Sequence, residues 1–226
     1  VGTRMYNQKS GEFSTVLGPV FANLLLADEI NRAPAKVQNA LLEVMQERQV
    51  TIAGLSHKVP EPFLVMATQN PIETEGTYPL PEAQVDRFMM KVLVGYPNEE
   101  EEFVIVERVT GPATTVSAVC STEQLTELQQ QCRKIYVDPN LIQYAVKLVA
   151  ATRRPEQYGL KDIEHYLTFG ASPRATISLI EGARALAFLR ARAYALPEDV
   201  IDLVPDVLRH RLVLSYEALS DGQSAD

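Results

Sequence analysis

The chain has 226 residues, of which 46% are hydrophobic and 22% are charged, a composition that excludes wholesale disorder and allows one large or two modest globular domains. The formal net charge of −8 at pH 7 leaves no basic surface for a phosphate backbone. We therefore expect no non-specific nucleic-acid binding by this portion, although the net charge says nothing of a local basic loop on a complete assembly.

The cysteines, the histidines and the lengths of the apolar runs narrow the class of protein further. Cys120 and Cys132 have no companion Cys or His cluster, which is typical of cysteines that serve as small hydrophobic residues in a reduced compartment, and the three histidines fit no zinc spacing. No apolar run approaches the roughly 18 residues that cross a bilayer, and no secretory leader is visible. These patterns predict a cytoplasmic protein without a membrane span. Because the first residue is Val1, we expect an N-terminally truncated form of a longer protein.

Up to about Arg108, apolar strand-like runs alternate with amphipathic helical patterns, which predicts a three-layer α/β fold. The first run, residues 21–27, ends at Asp28-Glu29, and the second, residues 63–67, ends at residues 68–71. A third run covers residues 89–94. Runs this apolar are typical of parallel strands that are covered on both faces.

Shorter patterns separate these runs. Pro34 suits the first turn of a helix, and a hairpin is predicted at residues 50–59 around Gly54. Asn98 and Glu101 have the spacing of a capping box. On the helix after Pro34, one stripe at helical periodicity contains Val37, Leu41, Val44, Met45 and Arg48.

From about Ser121 the patterns are helical, with only residues 136–137 resembling a strand. Helix starts are predicted at Ser121, at Asp138-Pro139, at Ser172-Pro173 and at Leu196-Pro197, which indicates a small all-α bundle. We divide the chain into an α/β core at residues 1–110, a linker at 111–121, a helical domain at 122–220 and a polar tail at 221–226.

Polar residues close two neighbouring runs. An Asp-Glu pair at the carboxyl edge of a sheet stands where α/β ligands bind, and in phosphoryl transfer such an Asp holds Mg²⁺ while the Glu activates water. Asn70, closing the next run, can bond an attacking water and a γ-phosphate oxygen without adding charge. Either signal alone is more typical of a strand that meets a solvated turn, and it is the combination of Asp28, Glu29 and Asn70 that indicates a nucleotide site.

Two arginines extend this hypothesis. Arg87 follows a short helix and is a candidate finger for a neighbouring subunit's nucleotide; the alternative is a surface pair with Asp86. Arg174 falls in the first turn of the longest predicted helix, where a cation opposes the helix dipole unless an anion compensates it. A triphosphate would be such an anion, and an ordinary exposed arginine is the alternative.

Taken in order, these residues resemble the MoxR branch of the AAA+ ATPases over nearly the whole chain, to about Leu219. The motifs are LLLADE at 24–29, NRAP at 31–34, ATQNP at 67–71, EAQVDRF at 82–88, GASPR at 170–174 and VLRHR at 207–211. The resemblance implies an incomplete P-loop-type α/β core with a parallel sheet, followed by an all-α lid domain. Residues 11–22 match the family's insert in an early helix, and residues 50–59 its hairpin.

The resemblance also implies roles. Asp28 and Glu29 would be the Walker B pair, with Asp28 on the metal and Glu29 catalytic; Asn70 would be sensor 1, Arg87 the arginine finger and Arg174 a nucleotide-binding sensor 2. The cofactors would be ATP and Mg²⁺. Family members act as chaperone-like remodellers in rings, often hexamers, and are linked to partners with a von Willebrand factor A domain.

One family feature is missing from this sequence. The family's Gly-x-x-x-x-Gly-Lys-[Ser/Thr] loop cradles the phosphates, and the chain contains no Gly-Lys pair. We therefore expect the complete protein to hydrolyse ATP and this polypeptide alone to be inactive. Two alternatives stay open: a degenerate, non-hydrolysing AAA+ scaffold, and a magnesium-chelatase-like motor subunit. A helicase-like relative shares the hairpin, but the charge of −8 argues against it.

Overall fold

The first two apolar runs pair with each other in the computed structural model, which describes residues 1–8, 11–70 and 77–225. The chain forms two units, Val1–Arg87 and Phe88–Asp226. In chain order, the elements of the first are β1 (Gly2–Asn7), β2 (Glu12–Leu17), β3 (Leu24–Ala27), a 3₁₀ turn (Ile30–Arg32), α1 (Ala35–Glu47), β4 (Gln49–Ile52), β5 (Leu55–Lys58), β6 (Leu64–Ala67) and α2 (Glu82–Val85).

The central pair of strands confirms the predicted parallel sheet. β3 and β6 run parallel in register from Leu24 opposite Leu64 to Ala27 opposite Ala67. A helix and a hairpin connect them, as a parallel crossover requires. Their carboxyl ends therefore share one edge of the sheet. The expectation that both faces are covered is not met within the described residues, because Leu24 and Met66 are 61% and 51% exposed.

The buried face of α1 differs from the predicted stripe. Val37 is exposed, whereas the next residue, Gln38, is buried. The Gln38 amide donates to the carbonyls of Ile30 (3.1 Å) and Tyr78 (2.9 Å), so a polar side chain holds the buried position. Arg48 ends the helix in the left-handed region at φ 54°, and its guanidinium donates to the Phe63 carbonyl. The buried residues of α1 are Gln38, Leu41, Leu42 and Val44.

Two hairpins flank this core. The predicted hairpin at residues 50–59 is confirmed as the antiparallel pair β4–β5, and its turn residues Ala53 and Gly54 both have positive φ. Two consecutive positive φ values are typical of the type I′ turn, whose twist matches that of the strands. The pair β1–β2 is also an antiparallel hairpin. The sequence patterns did not predict it, because its strands carry no buried stripe and stand largely exposed.

The second unit is mostly helical. In chain order its elements are α3 (Glu99–Thr110), α4 (Thr122–Arg133), α5 (Pro139–Arg153), 3₁₀ turns (Pro155–Tyr158 and Lys161–Tyr166), β7 (Leu167–Phe169), α6 (Pro173–Leu189), α7 (Pro197–Ile201), α8 (Val204–Leu208), β8 (Val213–Leu214) and α9 (Tyr216–Ser220). Its core lies around α6, where Ala175, Leu179 and Ala183 are fully buried. Across the described ranges, no helix is both long and apolar enough to span a membrane.

The helix starts of this unit follow local capping chemistry, as the sequence predicted. The side chains of Ser121, Asp138 and Ser172 each accept a hydrogen bond from a first-turn N–H group. Asn98 and Glu101 form the predicted capping box at the start of α3. These helices therefore begin where a short polar side chain satisfies otherwise unpaired backbone donors.

One prediction about this half of the chain is wrong. Residues 89–94 form no strand; instead, the Lys91 N–H group donates to the Asp206 carbonyl at 2.8 Å, so this backbone is bound by the helical unit rather than by a sheet. The predicted helical lid is confirmed, and it also contains one short antiparallel pair, β7–β8. The two units adjoin between Arg87 and Phe88, upstream of the predicted linker. The division at 1–110, 111–121, 122–220 and 221–226 stays a prediction.

A buried carboxylate joins the end of α6 to the start of α7. Asp199 is fully buried and accepts hydrogen bonds from Arg192 (2.5 and 2.8 Å), Arg190 (2.7 Å) and the Leu196 N–H group (2.8 Å). Burial would raise the pKa of Asp199, but the bonds from Arg192, Leu196 and Arg190 outweigh it, so the pKa lies below its ordinary value. The folded protein therefore favours the ionised form of Asp199.

We predict that Asp199→Asn lowers the free energy of unfolding by about 2–4 kcal/mol at neutral pH, because two arginines lose a buried charged partner. Asp202→Asn is the matched control: Asp202 is 48% exposed and bonds Arg190 alone, so the loss should stay within about 1 kcal/mol. Urea unfolding followed by circular dichroism measures both. Equal stability of the two variants would contradict the prediction.

The difference in stability between the parent and Asp199→Asn should change with pH in only one direction. The depressed pKa of Asp199 means that its contribution is complete above the unfolded-state pKa and is lost as pH falls towards the folded-state value. The gap between the parent and Asp199→Asn should therefore be constant from neutral pH to about pH 5 and narrow below about pH 4. A gap that widens in acid would contradict this sign.

Candidate functional site

The polar ends of β3 and β6 meet at one edge of the sheet, joined by a threonine. The Thr68 hydroxyl donates to Asp28 Oδ1 at 2.5 Å and accepts a hydrogen bond from the Glu29 N–H group at 2.8 Å. The strand ladder continues past the strands, since the Ile30 N–H group donates to the Thr68 carbonyl at 3.0 Å. Asp28 and Glu29 are thus fixed to the end of the neighbouring strand.

The Glu29 carboxylate lies between an amide and a guanidinium. Asn70 Nδ2 donates to Glu29 Oε1 at 3.4 Å, and Arg32 Nε pairs with Glu29 Oε2 at 3.1 Å. The Glu29 side chain is 35% exposed, so it remains within reach of solvent and ligand. Its backbone is left-handed at φ 48°, which costs a non-glycine residue about 1 kcal/mol or more. Such strain is concentrated at functional positions.

A second layer of hydrogen bonds supports Asn70. Asn31 Nδ2 donates to the Asn70 carbonyl at 3.4 Å, and the Tyr78 N–H group donates to the Asn31 carbonyl at 2.6 Å. The buried Gln38 amide bonds Tyr78 and Ile30 from α1. The turn after β3, the end of β6 and the chain around Tyr78 are therefore tied together. Pro71, part of the predicted motif, lies outside the described residues.

The donor set fits a magnesium ion shared with phosphate. Within the described ranges, no group of three or more His, Cys, Asp or Glu side chains could hold a metal by itself. Mg²⁺ is typically bound by one or two carboxylates together with water and substrate phosphate oxygens. Asp28 and Glu29 offer such carboxylates beside a neutral amide donor.

Arg87 stands apart from this cluster. It follows α2, and Gln84 of that helix donates to Asn39 of α1 at 2.8 Å, which ties α2 to the first unit. The Arg87 side chain is exposed and makes no hydrogen bond or ion pair with any described residue, including Asp86 and Glu29. The predicted surface pair with Asp86 is therefore not found. The guanidinium is available to an anion on another molecule.

Arg174 belongs to the second unit. It lies in the first turn of α6, directly after Pro173, and its N–H group donates to the capping Ser172 hydroxyl at 3.2 Å. This position is the one predicted from the sequence. Its part in binding a nucleotide stays a prediction.

Sequence reasoning missed two residues of the site. Thr68 was part of a quoted motif, but only its place opposite Asp28 in a parallel pair shows that its hydroxyl bonds both acidic residues. Arg32 follows Glu29 by three residues, a spacing that brings side chains together on a helical turn. The 3₁₀ turn that supplies this geometry was not predicted.

Comparison with known families and structures agrees with this arrangement. Residues 1–90 match the ATPase family associated with various cellular activities (AAA), and residues 159–226 match the AAA lid domain. A solved structure of a candidate ATPase from Cytophaga hutchinsonii superposes with a TM-score of 0.93 at 48% identity, covering 99% of this chain and 68% of that one. The first matched region covers the first unit and the first three residues of the second, and the other matched region lies within the second unit.

Individual relatives carry the family's name. The chain is 57% identical over 221 residues to Chaperone MoxR1 of Mycobacterium tuberculosis, which covers 98% of this chain and 59% of that protein. It is 41% identical to the uncharacterized protein YeaC of Bacillus subtilis, covering 100% of this chain and 68% of YeaC. Protein MoxR of Paracoccus denitrificans is 32% identical over 200 residues. The chain spans 59% of the mycobacterial relative's length, and it belongs to the MoxR family of AAA+ ATPases.

Proposed function

We propose that this chain is part of an ATPase module that couples ATP binding and hydrolysis to chaperone-like remodelling or maturation of partner proteins. The observation that carries the proposal is the meeting of three side chains at one sheet edge: Thr68 joins Asp28 to Glu29, and Asn70 donates to Glu29. The chaperone name of the mycobacterial relative supports the remodelling part. A cytoplasmic location, predicted from the sequence, belongs to the same proposal.

In this proposal each side chain at the sheet edge has one task. Asp28 would hold Mg²⁺, directly or through water, and the Thr68 hydroxyl, which donates to Asp28, would set the orientation of this carboxylate. When bound, the metal neutralises charge on the phosphate oxygens. Glu29 orients the attacking water and accepts its proton, and Asn70 bonds that water or a γ-phosphate oxygen. The Asn70 amide already lies 3.4 Å from Glu29, so one water molecule can contact both.

The exposed arginines act on charge that develops during hydrolysis. Arg87 reaches a nucleotide bound to a neighbouring subunit, which requires self-association into a ring, and we propose a hexamer. Arg174 binds the triphosphate from the lid, in its own subunit or a neighbour's. A protein with a von Willebrand factor A domain is the proposed partner. We propose no nucleic-acid partner, because the net charge of the chain is −8.

A non-hydrolysing scaffold is the second candidate, favoured by one observation: the chain has no Gly-Lys pair. Such a subunit would supply Arg87 to another subunit's site without turning over ATP itself. The two functions are separated by testing a form of the protein that also carries a phosphate-binding Gly-Lys-Ser/Thr loop, called below the loop-bearing form.

We predict that Glu29→Gln in the loop-bearing form keeps ATP binding but lowers turnover by about 10²- to 10⁴-fold, since the amide cannot accept the water's proton. Glu43→Gln, an exposed change on α1 away from the sheet edge, is the control and should keep parental turnover. Phosphate release measures turnover, and a fluorescent ATP analogue measures binding. Parental turnover by Glu29→Gln would contradict the assignment.

We predict that Arg87→Ala and Glu29→Gln subunits, each with strongly reduced turnover alone, regain part of the turnover when they are mixed. A mixed ring contains interfaces where an intact Glu29 faces an intact Arg87, because the finger acts on the neighbour. The control mixes Arg87→Ala with the double variant Glu29→Gln/Arg87→Ala, which offers no intact pair. Mixtures that stay as inactive as their components would show that Arg87 does not act between subunits.

We predict that the 226-residue chain itself shows no measurable ATP turnover, because it has no lysine and backbone loop to bind the phosphates. The loop-bearing form, assayed in parallel, should turn over ATP. Robust hydrolysis by the shorter chain would show that the loop is dispensable. Absence of turnover in both forms would instead favour the scaffold.

A further inference from the structure

The segment that follows Arg87 is bound through its backbone by three consecutive residues near the end of the second unit. These residues, Arg209, His210 and Arg211, form part of the VLRHR motif, to which the proposed function gives no task. We call them the clasp. The bound segment is residues 88–91, and all of these contacts lie within the second unit.

Arg211 is the centre of the clasp. Its side chain belongs to a residue only 6% exposed, and it donates to the carbonyls of Phe88 (2.5 Å) and Met89 (3.1 Å). It also donates to the Val207 carbonyl and approaches the Ser178 hydroxyl at 3.5 Å. Burying a guanidinium is costly unless its donors are satisfied. Here backbone carbonyls supply most of the partners, so removing Phe88 and Met89 from this place would leave the buried guanidinium with fewer acceptors.

The other two clasp residues, His210 and Arg209, also bind the backbone of residues 88–91. His210 Nε2 lies 3.2 Å from the Phe88 carbonyl, which can only accept, so that nitrogen donates. Arg209 donates to the Lys91 carbonyl at 2.8 Å and pairs with Asp206. The Lys91 N–H group donates to the Asp206 carbonyl at 2.8 Å. Three of the four carbonyls of residues 88–91 thus bond to clasp side chains.

The amino-terminal end of this segment is covalently joined to Arg87. Consecutive Cα atoms are about 3.8 Å apart, so holding the Phe88 backbone keeps the Arg87 Cα within that distance of the Phe88 Cα. The Arg87 side chain itself has no described partner that could hold it. A finger that must meet developing charge loses rate steeply when it is misplaced, by roughly 100-fold for an error of about 1 Å.

We propose that the clasp, and Arg211 above all, positions the Arg87 finger by fixing the backbone that follows it. This inference rests on the proposed function of Arg87. Arg211 touches no substrate; it is a positioning residue that acts through the Phe88 and Met89 carbonyls. The lid motif thereby contributes to hydrolysis at a neighbouring subunit's site.

The test measures turnover and ATP binding in the loop-bearing form of Arg211→Met. Methionine fills similar space but donates no hydrogen bond, so we expect turnover to fall roughly 10- to 100-fold while ATP binding is unchanged. Arg211→Lys, which can keep one carbonyl contact, should lie between Arg211→Met and the parent. His210→Ala removes the other donor to Phe88 and serves if Arg211→Met does not fold.

The decisive comparison introduces Arg211→Met into the Arg87→Ala variant. If the clasp acts through Arg87, the double variant Arg87→Ala/Arg211→Met should turn over ATP no more slowly than Arg87→Ala alone. Asp199→Asn controls for lid stability, since it weakens the same unit without contacting residues 88–91 and should keep near-parental turnover below its unfolding temperature. Arg133→Met controls for the loss of an exposed lid arginine.

Three results would overturn the inference: parental turnover in both Arg211→Met and His210→Ala, a further loss of turnover in the Arg87→Ala background, or an equal loss in Asp199→Asn. Failure of the proposed function looks different. In that case the loop-bearing parent does not hydrolyse ATP, or Arg87→Ala keeps parental turnover, and the finger that the clasp would position does not exist.

Discussion

The parallel pairing of β3 with β6 is the constraint on which the site depends. A one-residue shift of this register would turn every following side chain to the opposite face, separating the acidic pair from the amide. The Thr68 hydroxyl opposes such a shift, because it bonds the Asp28 carboxylate and the Glu29 backbone at once. The left-handed backbone of Glu29 is held by the same contacts, so strain and register are stabilised together.

Signals that act over a few residues predicted most of the structure. The acidic and amide strand ends, the hairpin turn at Gly54 and the caps at Ser121 and Ser172 each follow from neighbouring residues alone, and all are found. The misses depend on distant partners. The Gln38 amide is buried because carbonyls from two other segments meet it, and residues 89–94 are bound by the lid rather than by a strand. Periodicity cannot encode either arrangement.

Two buried charged residues of the second unit have different structural roles. Asp199 accepts from two arginines and one N–H group, all close in sequence, so it joins the end of α6 to the start of α7. Arg211 instead bonds carbonyls more than a hundred residues away, which holds a distant segment in place. A buried ion of the first kind chiefly stabilises the unit. One of the second kind fixes a single position of the chain, and the loss of that position need not unfold the protein.

The helix α6 connects the lid's two proposed tasks. Arg174 lies in its first turn, and Ser178, one turn later, approaches Arg211 within 3.5 Å. A helix moves as a rigid rod over one turn, because its backbone bonds span that distance. If Arg174 binds phosphate and Arg211 positions Arg87, then a displacement of α6 on hydrolysis shifts the clasp as well. The nucleotide that Arg174 senses would in this way influence the finger presented to a neighbouring site. The shared helix thus offers a physical route for coupling between subunits, without any contact between the two nucleotides.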